Sequence, residues 1–111
     1  MNAQDFQKCS EEVIAHCWDL LFSKSKEYAN DIDRLANFKQ PTSLLHTNQA
    51  RVCLFYDSKH IASMAKMAED ADKGIYPTKE LLMEKVGDYI NYGLLFYANM
   101  LELMNKGGTN A

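Results

Sequence analysis

Three clusters of side chains in this 111-residue chain have types and spacings that could do chemistry. The first is a column of acids. At about 100° per residue, Glu80, Glu84 and Asp88 climb one helical face within an arc of roughly 80°, and Asn91 returns to the same arc. Like charges one turn apart repel mildly. Beyond Asp88 the segment YINYGLLFYANMLELM is apolar almost all round, as expected of a helix central to a bundle or an oligomer. Acids on the buried half of such a helix need a cation, and Mg²⁺ takes carboxylates plus water and phosphate oxygens. The competing reading is a solvated acidic face.

The second cluster lies in KSKEYANDIDRLANFK, residues 24–39. It mixes acids able to complete a metal site (Glu27, Asp31 and Asp33) with cations able to meet a phosphate (Lys24, Lys26 and Arg34). Ordinary salt bridges at a polar helix end would also account for it. The third cluster is Lys59-His60 with Ser63 one turn on. A histidine in such a place is more often a satisfied interior residue than a catalytic base. Glu12, His16 and Asp19 have metal-ligand spacing but read as the wet side of a helix, and His46 carries no signal. No Gly-rich phosphate loop and no nucleophile–histidine signature occurs, so no residue is assigned a catalytic role.

Helices must position these groups, because two prolines and five glycines punctuate the chain too sparsely for anything but long elements. Three long helices are expected near 4–28, 49–73 and 78–106, with a short one near 32–39. In the first, Phe6, Cys9, Val13, Cys17, Leu20 and Leu21 form the apolar stripe. Pro41 should stop the short helix, since the residue before a proline avoids the α region. Residues 42–48 read as a linker anchored by Leu44 and Leu45. Val52, Phe55, Tyr56, Met64 and Met67 supply the buried side of the second long helix, which Gly74 ends. Thr78 caps the third, and Gly107-Gly108 end it. The fold class is all-α: a single helical domain over 1–106, with 107–111 a frayed tail and the bundle completed by oligomerisation.

Composition narrows the function. Twelve basic against fifteen acidic residues give a net charge of −3, which argues against general nucleic-acid binding. No apolar run suits a membrane and no leader pattern opens the chain, so a cytoplasmic location is expected. The three cysteines form no CxxC pair and read as small buried apolar residues. A last helix apolar on most sides predicts a homo-oligomer, dimer or higher.

The segments KSKEYANDIDRLANFK, SKHIAS and ELLMEKVGDYINY together resemble a group of small phage and prophage proteins. In that group a K-x-x-E/D-Y…D-R-L-x-N-F-K segment precedes a K-H-x-x-S helix and an E-x₃-E/D-x₃-D-x₂-N-Y helix. The group is distantly similar to the MazG-like, all-α nucleoside triphosphate pyrophosphohydrolases and to nucleotide-modification-associated phage proteins. The likeness covers roughly residues 20 to 100. It implies Mg²⁺ held by carboxylates from two helices and cleavage of a nucleotide between its α- and β-phosphates. By position, Glu84 and Asp88 match the acidic pair of the last helix and Asn91 the amide after it. Two departures stand out. The enzymes' E-E-x-x-E motif meets Glu11-Glu12 followed by Ala15, and their E-x-x-D motif meets acids four apart. Glu27 and Asp31 are the candidates to replace the first motif. The expected metal ligands are therefore Glu80, Glu84 and Asp88 with Glu27 or Asp31. Lys24, Lys26, Arg34 and Lys59 would meet phosphate, and Asn91 and Tyr92 would orient the ligand. The rival expectation is a non-catalytic helical module that binds a phage or host protein.

Overall fold

A computed structural model describes residues 1–23 and 33–107. Among them every regular element is a helix: α1 (Ala3–Ser23), α2 (Ala36–Lys39), α3 (Thr42–Leu45), α4 (Gln49–Ala71) and α5 (Lys79–Asn105). The all-α expectation holds, with three long helices and short ones between the first and second.

The helix ends follow local chemistry. The Asn48 side chain accepts a hydrogen bond from the Arg51 N–H at 2.9 Å and starts α4. Thr78 Oγ1 accepts from the Leu81 N–H at 3.1 Å and starts α5. Each satisfies an N–H that the helix cannot, for about 1 kcal/mol. Gly74 at φ 74° and Gly107 at φ 86° take the left-handed conformation that closes a helix with little strain in glycine.

Pro41 acts differently from expectation. Gln40 stays in the right-handed helical region at φ −54° and ψ −46°, held by its N–H to the Ala36 carbonyl. Pro41 then leads directly into α3, its missing N–H harmless at a helix start. Residues 42–45 are thus helix rather than linker, and Leu44 and Leu45 are exposed rather than anchors.

α4 and α5 are antiparallel: Gln49 meets Asn99, Cys53 meets the Tyr92 carbonyl and His60 meets Asp88. α1 runs parallel to α5, from Glu12 beside Lys79 to Cys17 beside Gly87. Gly87 permits that approach, for a Cβ there would lie 3.1 Å from His16 Cδ2. The core, Leu35, Phe38, Val52 and Cys53, joins α2 to the two long helices, with Tyr56, Tyr92, Leu95 and Phe96 packed on it. A fully buried side chain such as Val52 contributes about 1.5–3 kcal/mol.

Helical periodicity misplaced several side chains. Phe6 and Cys9 are exposed and Val13, Leu20 and Leu21 half-buried, so that Cys17 alone of the α1 stripe is buried. His16, expected on the wet side, packs on Gly87. Phe55 is exposed because α4 turns Val52, Cys53, Tyr56 and His60 toward α5, and no described helix covers its other side. No described helix is long and apolar enough to cross a membrane.

Candidate functional site

A cavity of about 340 Å³ opens where α1, α2, α4 and α5 meet. Helical spacing builds it. Tyr56, Lys59 and His60 come from successive turns of α4, and Asp88, Asn91, Tyr92 and Leu95 from the facing turns of α5. These are the i, i+3, i+4 and i+7 positions that share one face. Leu20 and Leu21 close one side from the end of α1, and Arg34, Asn37 and Phe38 close another.

The Arg34 segment is pinned from both sides. Asp33 Oδ1 accepts from the Leu35 N–H at 3.0 Å, and Asp33 Oδ2 accepts from Lys39 Nζ at 2.8 Å. Lys39 Nζ also pairs with Glu102 on α5. Both carboxyl groups are held below the usual carboxylate range, chiefly by the Lys39 hydrogen bond. Phe38 is buried with its ring edge-on to Tyr92 at 6.2 Å and tilted toward Tyr56 at 6.0 Å. The pocket therefore has an aromatic wall.

Its polar wall is held by burial. His60 is 7% exposed, its ring lies 4.9 Å from that of Tyr92, and its Nδ1 is 3.6 Å from Asp88 Oδ2. That separation is too long for a good hydrogen bond. Burial pushes the His60 pKa below its ordinary value and Asp88 only partly offsets this, so the imidazole is neutral at pH 7. Burial likewise raises the Tyr92 phenol. Asn91 is 6% exposed and its Oδ1 has no partner among the described residues, an arrangement that costs about 1–3 kcal/mol unless something else supplies the bond. Arg34 and Lys59 form no ion pair among the described residues. Two uncommitted cations thus face the same space as one carboxylate and a neutral imidazole.

Of the residues expected from sequence, the fold brings Arg34, Lys59, Asp88, Asn91 and Tyr92 to this cavity. Glu80 and Glu84 are exposed and do not line it. Lys24, Lys26, Glu27 and Asp31 lie outside the described residues. Asn37, Phe38 and Tyr56 were not anticipated. Tyr56 had a usable signal, standing one turn before Lys59-His60, and the two others sit within the LANFK segment already singled out.

The donor set limits what metal this site can take. Among the described residues no three His, Cys, Asp or Glu side chains gather as a metal-holding group. Among the described residues Asp88 alone is a carboxylate in the lining. One carboxylate together with phosphate oxygens and water is a common way to hold Mg²⁺, so Asp88 fits an ion that arrives on a phosphorylated ligand. Compared with known protein families, with curated proteins and with solved structures, the chain matches none.

Proposed function

We propose that this cavity binds a nucleotide with its Mg²⁺, and that the protein is a nucleotide-binding protein or a Mg²⁺-dependent nucleoside triphosphate pyrophosphohydrolase of phage type. One observation carries the reading: uncommitted Arg34 and Lys59, the aromatic wall of Phe38, Tyr56 and Tyr92, and the unpartnered Asn91 amide line a single pocket. Arg34 and Lys59 neutralise phosphate charge, Arg34 with a planar fork suited to two oxygens at once. The aromatic wall accepts a base by stacking, and Asn91 and Tyr92 beside it orient the ligand. Asp88 would hold the Mg²⁺ that polarises the phosphates when the complex is bound. His60, neutral and beside Asp88, is the one described group in the pocket suited to take a proton near pH 7.

The apolar surface of α5 supports a homo-oligomer, dimer or higher. A second reading, a helical module that binds a phage or host protein, draws on the exposed Phe6, Ile14, Trp18 and Phe22 of α1.

The test is a thermal melt and calorimetric titration with a panel of canonical and modified nucleoside triphosphates, with and without millimolar Mg²⁺, followed by assay of pyrophosphate release. Binding to the folded state must raise the melting temperature. Arg34→Ala and Lys59→Ala should each weaken binding about tenfold or more, and Asp88→Asn should remove the Mg²⁺ dependence. Release of pyrophosphate selects the enzyme over the binding protein. A melt indifferent to every nucleotide refutes the reading.

A further inference from the structure

Of the two uncommitted cations in the pocket, Lys59 stands in the middle of α4, whereas Arg34 stands on a turn. The helix that follows it, α2, has four residues, and a single helical turn does not hold itself together. The place of Arg34 is therefore set by what its neighbours bind. On one side Leu35 and Phe38 are buried in the core. Apolar contact of that kind is non-directional and does not by itself orient a turn.

The directional contacts begin at Asp33, the residue before Arg34. Asp33 Oδ1 accepts from the Leu35 N–H at 3.0 Å, which closes the side chain over Arg34, and Asp33 Oδ2 accepts from Lys39 Nζ at 2.8 Å. The same Lys39 Nζ pairs with Glu102, so one ammonium joins the turn to α5. The far end of that bridge is firm. Gln49 Nε2 donates to the fully buried Asn99 at 3.0 Å and reaches Glu102 Oε1 at 3.4 Å, and Lys106 Nζ lies 3.7 Å from the same oxygen.

None of Asp33, Lys39 and Glu102 lines the pocket. Glu102 stands about 10 Å beyond Leu95 along the helix axis. All three side chains are about a third exposed, and an isolated ion pair at such exposure adds little to stability. The effect of the bridge is instead on position. A guanidinium meets two oxygens through a planar fork, and a binding group works only when held within about 0.5 Å of its productive geometry.

We propose that Lys39 is a positioning residue for the pocket: its bridge from Asp33 to Glu102 fixes the turn that presents the Arg34 guanidinium to phosphate. This rests on the nucleotide reading above and adds what orients its phosphate-binding cation.

Calorimetric titration of the full chain with inorganic triphosphate in millimolar Mg²⁺ tests it on the phosphate part of the ligand alone. Arg34→Ala should weaken binding about tenfold. Lys39→Met should weaken it about threefold or more in the parent, and no further in Arg34→Ala, because it acts through that side chain. Lys39→Arg keeps donors for both carboxylates and should restore binding. Should Lys39→Met fail to fold by circular dichroism, Glu102→Gln breaks the same bridge from α5 and should show the same coupling to Arg34. Without ligand, the Leu35 amide should exchange its hydrogen faster in Lys39→Met than in the parent. A parent that binds no triphosphate overturns the nucleotide reading and this role together. Binding that Lys39→Met leaves unchanged, or weakens equally with and without Arg34, keeps the nucleotide reading and overturns the role of Lys39. Unchanged exchange at Leu35 overturns the hold of the bridge on the turn.

Discussion

Asn99 is fully buried, and replacing it with alanine tests how the two long helices are tied at the end remote from their connecting turn. Its Nδ2 donates to the Leu95 carbonyl at 2.9 Å, and its Oδ1 accepts from Gln49 Nε2 at 3.0 Å. Gln49 is itself 4% exposed, and its other acceptor, Glu102 Oε1, is 3.4 Å away. Asn99→Ala therefore leaves a buried amide with only that long contact, at about 1–2 kcal/mol, and opens a small cavity that adds about 1 kcal/mol. The expected loss is about 2–3 kcal/mol, near 10 °C in melting temperature for a chain of this length. Chemical denaturation at fixed protein concentration measures it, since an associating chain has a concentration-dependent midpoint. The Asn99→Ala/Gln49→Ala pair should show a coupling of about 1 kcal/mol, because the double variant has no orphan left. A loss below about 0.5 kcal/mol, or strict additivity, would refute the bond's structural role.

Acid should loosen the α2–α5 connection. Asp33 and Glu102 have folded-state pKa values below their ordinary 3.8 and 4.5, so their contribution is present above those values and fades as the pH falls through and below them; a melting profile of Glu102→Gln should lose part of the parent's slope in that range, and an identical slope would contradict the assignment. Cysteine reactivity should divide by burial: Cys9 is exposed, whereas Cys17 and Cys53 are buried and the Cys53 thiol is pushed up to about 11 by burial. Native alkylation at pH 8 should therefore label one cysteine and denatured alkylation three, with rapid native labelling of Cys53 as the contrary result.

What the sequence made legible was local. Thr78, Gly74 and Gly107 mark helix ends because capping depends on a few neighbouring residues. Five of the eleven expected site residues converge because Lys59 on α4 and Asp88, Asn91 and Tyr92 on α5 share faces by spacing alone, with Arg34 added by the turn that leads into α2. Tertiary choices were not legible. Periodicity identifies an apolar stripe but not whether a neighbour covers it, so Phe6, Cys9, Phe55, Leu44 and Leu45 were assigned to an interior that does not reach them. The acidic column shows the same limit. Glu84 and Glu80 lie about 6 and 12 Å before Asp88 along the helix axis, and the pocket ends at the level of Asp88.

The buried polar residues divide into those that bond within the fold and those that keep an unpartnered atom. Among the described residues six apolar side chains are buried, Cys17, Leu35, Phe38, Ala50, Val52 and Cys53, against five polar ones. For a chain that folded only for itself, each buried polar group would be a net cost unless bonded. Gln49 and Asn99 bond each other across α4 and α5 and belong to the fold. Asn91 and Asp57 each keep an unpartnered oxygen. His16 Nε2, the remaining such atom among the described residues, lies where α1 meets α5 at Gly87. Asn91 lines the pocket proposed for the nucleotide and Asp57 the shallow groove between α4 and α5, with Tyr92 lining both. A single helix, α5, carries one wall of the pocket and one of the groove, with Asn91 and Asn99 buried on its inner face and Asp88 half-buried beside them.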